Sequence, residues 1–368
     1  MRCAAALAGF LTLSAIATPA SGQVDVRDLV LTLGGSVEDY RGNLSAVTVP
    51  VVDPTDHATS VAGELGVRGQ INLFESVALS FDGGMRQAAA MGFTFRDYAP
   101  REWVGSAELS YTRPVGDWVS LQAMGSLRGR SVRDRTPIPL FLQPGYVIGG
   151  GSLGLVSRPI QGVSLDASFQ LEDADYLAAR YLPQLDLLDR EGKGLELGAR
   201  WGSAPSTLRV FGGVWWSDYR NQSSFVADDP YRRDRTVRAG ADWSYFGTAI
   251  VQLGVEGTLN RSNSNRPEYD ALSLRASLTM PLPGTTTLNA FAVLTGKSYL
   301  NETEFARLVP GEEADNASVA YLQVVRPIAA DLDAAVRLAW TRAETNVGAE
   351  YYRRFGLSVE FNYRPLWD

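Results

Sequence analysis

The sequence predicts a closed antiparallel up-and-down transmembrane β-barrel of about sixteen strands, with fourteen as the alternative count. Three observations predict it. Short turns alternate with longer polar connections, the segments between them alternate apolar and polar residues, and aromatic residues gather at segment ends.

The short connections are Glu75-Ser76, Arg113 to Gly116, Arg158 to Gly162, Ser203 to Ser206, Phe246 to Thr248, Pro281 to Gly284 and Arg326 to Ala330. Proline has no N–H to give a strand ladder, so the turns that carry it cannot be strand interiors. Longer connections are expected at 41–57, 91–101, 133–145, 177–193, 220–235, 262–269, 299–316 and 345–350. Bacterial outer-membrane barrels alternate in this way, with the short turns periplasmic. A soluble propeller also repeats at roughly forty residues, but its blades need four strands per period where two fit here.

Within the segments, period two is sustained. Val163, Leu165, Ala167, Phe169 and Leu171 stand against Ser164, Asp166, Ser168, Gln170 and Glu172. Val61, Leu65, Val67, Ile71 and Leu73 oppose Glu64, Arg68, Gln70 and Asn72, and Leu272, Leu274, Ala276 and Leu278 oppose Ser273, Arg275, Ser277 and Thr279. A tilted strand of about ten residues crosses the hydrocarbon. The polar set holds charges of both signs and is too large to pack dry, which places it toward water inside the barrel.

Aromatic placement separates this barrel from a soluble β-sandwich, whose core anchors would cluster at strand centres. Trp103, Trp216 and Trp340 are expected near loop ends, with Tyr111, Trp118, Trp201, Trp243, Tyr245, Tyr363 and Trp367 near turn ends. None of the eight tryptophans is expected mid-strand.

Residues 1–22 read as a cleaved secretory signal, with Arg2, an apolar run from Ala4 to Ala17 and a small-residue site at Ala20-Ser21-Gly22. A single barrel domain is expected over 23–368, entering its first strand near Asp28 and leaving no room for a plug, a periplasmic helical-repeat domain or a passenger. Cys3 falls inside the signal, so the mature chain has no thiol chemistry. The chain holds 34 Lys and Arg against 41 Asp and Glu, and without Arg2 the 33 against 41 give a net charge of −8. Such an acidic balance excludes nucleic-acid binding by charge.

No catalytic constellation stands out, and the chain is read as a non-enzyme. The only histidine, His57, sits beside Asp53, Asp56, Thr59 and Ser60 but lacks the rest of a hydrolase motif. Gly149 to Gly154 matches G-x-G-x-x-G in form, yet a strand continues through Leu155 and Val156 where a dinucleotide fold needs a helix. Glu312, Glu313, Asp315 and Asn316 offer oxygen ligands without the spacing of a calcium loop, so no metal and no cofactor are expected. By strand parity the lumen candidates are Glu64, Arg68, Glu108, Arg128, Arg130, Asp166, Glu172, Glu196, Arg200, Arg238, Asp242, Glu256, Arg275, Asp333, Arg337 and Glu360. Outer members of the runs Arg128 to Arg135 and Arg232 to Arg238 face the rim, where lipopolysaccharide phosphates are the partners their charge fits.

Arg261-Ser262-Asn263-Ser264-Asn265 followed by Tyr269, and Arg342-Ala343-Glu344-Thr345-Asn346 followed by Tyr351 to Arg354, repeat one pattern. The chain resembles Gram-negative outer-membrane porin-like barrels, and also the C-terminal barrel of surface lipoprotein assembly modifiers. It departs from the latter in lacking their helical-repeat domain, and from outer-membrane proteins generally in ending on Trp367-Asp368, with Phe355 to Tyr363 as the aromatic-rich last strand. The resemblance implies outer-membrane lipid and the barrel-assembly machinery as partners and leaves homo-oligomerisation open.

The expected function is passive diffusion of small hydrophilic solutes, with loop 177–193 or 133–145 folding inward to set the cutoff. The leucines of the first loop are Leu182, Leu185, Leu187 and Leu188, and the prolines of the second are Pro137, Pro139 and Pro144. The alternatives are the barrel component of a polysaccharide or surface-lipoprotein export system, which requires a periplasmic partner, and an outer-membrane hydrolase built around His57.

Overall fold

The computed structural model describes residues 25–42, 57–91, 101–133, 145–177, 185–226, 229–264, 268–300, 318–344 and 351–365. The expected signal, Pro137, Pro139, Pro144, Leu182, Asp53, Asp56, Trp367 and the oxygen-rich run Glu312 to Asn316 lie outside them.

In chain order the strands are β1 (Asp25–Gly42), β2 (His57–Phe74), β3 (Val77–Met91), β4 (Arg101–Pro114), β5 (Val119–Arg133), β6 (Gly145–Ile160), β7 (Val163–Leu177) and β8 (Arg190–Ser203). The second half holds β9 (Ser206–Val226), β10 (Asp229–Phe246), β11 (Ile250–Ser262), β12 (Tyr269–Leu282), β13 (Thr286–Tyr299), β14 (Ser318–Pro327), β15 (Leu332–Glu344) and β16 (Tyr351–Tyr363). Each strand pairs antiparallel with its neighbours in sequence, and β1 pairs with β16 from Leu31↔Tyr363 to Gly42↔Tyr352 to close a barrel of sixteen. Closure leaves no sheet edge, which is why a chain with every strand so polar on one side and oily on the other forms a barrel and not an open sheet.

The turns fall where proline and glycine put them, within a residue or two. Between β12 and β13, Gly284 at φ 77° and Thr285 at φ 62° are both left-handed, the hand that matches strand twist in a tight hairpin. Gly145–Ile160 is one strand through all the glycines of the G-x-G-x-x-G match.

One expected connection is far shorter than its expected bounds. Residues 220–235 are not a loop: β9 runs 21 residues to Val226 and β10 starts at Asp229. The segment carries charge on both faces because it stands beyond the apolar belt, so alternation vanishes although the ladder continues. On its outward side Arg220 pairs with Asp173, with Asp175 at 3.1 Å and with Glu191 at 3.0 Å. The same extension corrects the aromatic expectation, since Trp215 and Trp216 are the tenth and eleventh residues of the 21-residue β9 and therefore mid-strand. In the ladder, however, Trp216 lies opposite Lys193 on one side and Arg235 on the other, so its ring still marks the level where oil gives way to charge.

Candidate functional site

Side chains directly opposite in a ladder share a face, so the register carries one face assignment around the whole barrel. On one face stand most of the exposed apolar residues, among them Leu33 at 59% and Leu197 at 67% exposure, with Val104 an inward exception. The buried side chains of the strands fall on the other, including Val30, Ala62, Ala174, Phe211, Tyr219 and Ala335. Crowding belongs to the concave side of a closed sheet, so the polar face is inward and the apolar face outward. On β16 the outward run from Phe355 to Tyr363 spans ~27 Å along the strand at about 3.4 Å per residue, or ~21 Å along the barrel axis at a tilt of about 40°. A belt of that height matches the ~25 Å apolar band of membrane barrels.

The register puts all sixteen sequence-expected charged residues on the inward face. Most are held in ion pairs that reach across one or two strands. Arg209 joins Asp166 at 2.7 Å and Glu196 at 2.9 Å, and Arg238 approaches Glu196 at 3.6 Å. Glu172 receives Arg128 at 3.2 Å and Arg190 at 3.4 Å, Arg275 lies between Asp242 at 3.4 Å and Glu256 at 3.5 Å, and Arg337 meets Glu360 at 3.5 Å. Arg86 binds Glu38 and, at 3.2 Å, Glu64. Arg130 pairs with Glu102, and Arg364 with Asp333. Arg68, Glu108 and Arg200, with Asp82, are exposed and form no ion pair among the described residues.

Sequence reasoning missed Arg86, Arg190, Arg209, Arg232, Lys297 and Arg354 among inward cations, and Glu38, Asp82, Glu102 and Asp234 among inward anions. With seven expected cations and nine expected anions, the inward side chains among the described residues of the strands come to thirteen of each sign, Arg232 being placed by its buried pair with Asp234 and not by the register. The inward face is electrically balanced.

Large inward side chains lie flat against the wall because the neighbouring strand is hollowed beneath them. Trp215 on β9 covers Gly192 and Gly194 of β8, where any Cβ would collide with the indole. A Cβ on Gly240 would come within 2.6 Å of the Phe211 ring. Only glycine admits this packing, and it keeps the rings out of the bore.

A 3-10 turn, Leu185–Leu188, follows β7 and folds onto the inward face. Leu188 packs with Ile148, Ala174 and Tyr176, all inward residues of β6 and β7. The Tyr176 N–H donates to Asp189 Oδ1 at 2.7 Å, and Asn221 Nδ2 donates to the Asp186 carbonyl at 2.9 Å. Gln222 donates to the Leu187 carbonyl and accepts from Arg232 Nη1 at 2.9 Å, while Arg232 holds Asp234 at 2.5 Å and lies 4.1 Å from the Tyr219 ring centre. The described end of loop 177–193 is therefore fastened inside the barrel. Burial pushes the Asp189 carboxyl above its ordinary range, opposed by the Tyr176 N–H and reinforced by Asp175 and Asp186.

The hydrolase elements do not assemble in what is described. His57 opens β2 opposite Arg41, and Thr59 and Ser60 are consecutive strand residues that point to opposite faces. No cluster of metal-ligating side chains occurs among the described residues.

No family model and no curated protein matches the chain. Solved structures that resemble it include porins and other outer-membrane proteins. An anion-selective porin from Comamonas acidovorans has 12% identity over 93% of this chain and 99% of its own, at a TM-score of 0.42. OccD3 (OpdP) of Pseudomonas aeruginosa has 12% identity over 96% of each chain at 0.41, and a bacterial polysaccharide outer membrane secretin has 12% over 92% and 98% at 0.40.

Proposed function

We propose that the chain is an outer-membrane channel through which small hydrophilic solutes diffuse passively. The observation that carries the reading is the sorting of the two faces: oily side chains exposed on the convex side, and charges of both signs on the concave side, some of them unpaired and wet. An apolar belt of membrane height on a closed sheet is stable only against lipid tails, and exposed arginines and carboxylates on the inside are stable only in water. At sixteen strands a barrel is wider than its own side chains can fill. The turn at 185–188, docked inside, narrows the outer half of that bore and sets the size limit.

Refolded protein in a planar bilayer tests this directly. Stepwise conductance in KCl, rising when the docked turn is removed by replacing 178–188 with a short Gly/Ser link, is the expected result. A protein that inserts and stays silent in both forms ends the channel reading.

A further inference from the structure

The inward face is not uniform around the barrel. From β1 to β11 and on β15 and β16 it is studded with paired charges, whereas no Asp or Glu occurs anywhere in β13 or β14. In that lane the inward positions of β13 are Tyr299, Lys297, Thr295, Val293, Phe291 and Asn289, by the register with β12 and β14. The one inward charge of β12, Arg275, is turned away from the lane toward Asp242 and Glu256.

Two aromatic pairs stand in the lane. Tyr269 and Tyr299 meet at the outer end with ring centres 6.3 Å apart and planes at 77°, and Lys297 Nζ sits 3.9 Å and 4.8 Å from their centres. Deeper in, Phe291 and Tyr321 stack at 5.3 Å and 24°, with Arg337 at 5.1 Å over Tyr321. Eight residues of β13 separate the two pairs, ~27 Å along the strand. Hydroxyl and amide groups fill the spaces between and below: Ser273 with Thr295 at 3.0 Å, and Thr279 donating to Asn289 at 3.0 Å. All four rings are only half-buried.

We infer that this lane binds neutral carbohydrate, as a track of stacking platforms edged by hydroxyl partners. A pyranose presents an apolar face of C–H groups and a rim of hydroxyls. Flat rings with polar side chains on either flank complement both at once, and the Lys297 ammonium beside the outer pair adds a donor for sugar hydroxyls. The inference rests on the channel reading for access, and its binding step can be measured without it.

The test is a calorimetric titration of the folded, detergent-solubilised protein with maltohexaose, run beside single-channel recordings with the same sugar. Saturable binding and transient current block are expected. Phe291→Ala with Tyr321→Ala should weaken both about tenfold or more while KCl conductance holds or rises. The lipid-facing Leu322→Ala should leave binding as in the parent. Absence of saturable binding, or ring variants that titrate like the parent, overturns the inference. Binding that persists in a protein that never conducts would instead uphold the track and remove the channel.

Discussion

Arg232 is 3% exposed, and its guanidinium joins a strand, a ring and a loop. It holds Asp234, covers Tyr219 and supports the Gln222 that bonds the Leu187 carbonyl. Arg232→Met should leave the 7%-exposed Asp234 without its cation and cost about 3–5 kcal/mol at the top of β9 and β10. Thermal unfolding in detergent and faster amide exchange over 185–189 would report it. Arg232→Lys should not rescue, because one ammonium cannot serve the carboxylate and the amide in the fork geometry of Arg. Asp189 makes the same docking depend on acidity. Its carboxyl is raised by burial, so the docked state favours the protonated acid: the contribution is complete below the ordinary carboxylate range and is lost as pH rises through the raised value. Protection of the Tyr176 amide, corrected for intrinsic exchange, should therefore increase on acidification, and Asp189→Asn should flatten that dependence. Protection independent of pH in the parent would refute the assignment.

At the scale of the element, the wall of β8 and β9 depends on a match between glycine and ring. Gly194→Leu should push Trp215 off the wall and into the bore, lowering conductance, and adding Trp215→Ala should restore it. A double variant no better than the single would mean that the strand had been deformed rather than the ring displaced. How far such elements can be read from sequence depends on whether the lipid imposes a period. Glu64, Asp166 and Arg275 were legible because Leu65, Leu165 and Leu274 alternate with them through the apolar belt. Arg86 was not, since β3 reads Asp82-Gly83-Gly84-Met85-Arg86 and a glycine pair carries no side to read. Arg232, Asp234 and Arg190 stand where the wall rises out of the oil, and polar residues on both faces there look like loop. The β13–β14 lane escaped for the opposite reason: apart from Lys297 its inward residues are uncharged, and alternation of charge against oil does not mark them.

At the scale of the whole bore, equal numbers of inward cations and anions among the described strand residues make it a weak selector of ions, and what selectivity it has comes from the few groups there with no ion-pair partner. A reversal potential near zero is expected in a KCl gradient. Arg68 and Arg200 are exposed, inward and outside every ion pair among the described residues. Arg68→Glu with Arg200→Glu replaces two positive charges with two negative ones and should move the reversal potential toward cation preference. Glu108→Lys should move it the other way. Paired groups should count for less: Arg209 is shared by Asp166 and Glu196, so removing it frees Asp166 and leaves Glu196 to Arg238 alone while it also loosens three strands, and its effect mixes charge with structure. Salt separates the two. With a screening length of about 10 Å at 0.1 M and about 3 Å at 1 M, a shift caused by fixed charge in a wide wet bore should shrink as KCl is raised. A shift that stays constant from 0.1 M to 1 M would mean that the substitutions had changed the shape of the passage and not its field.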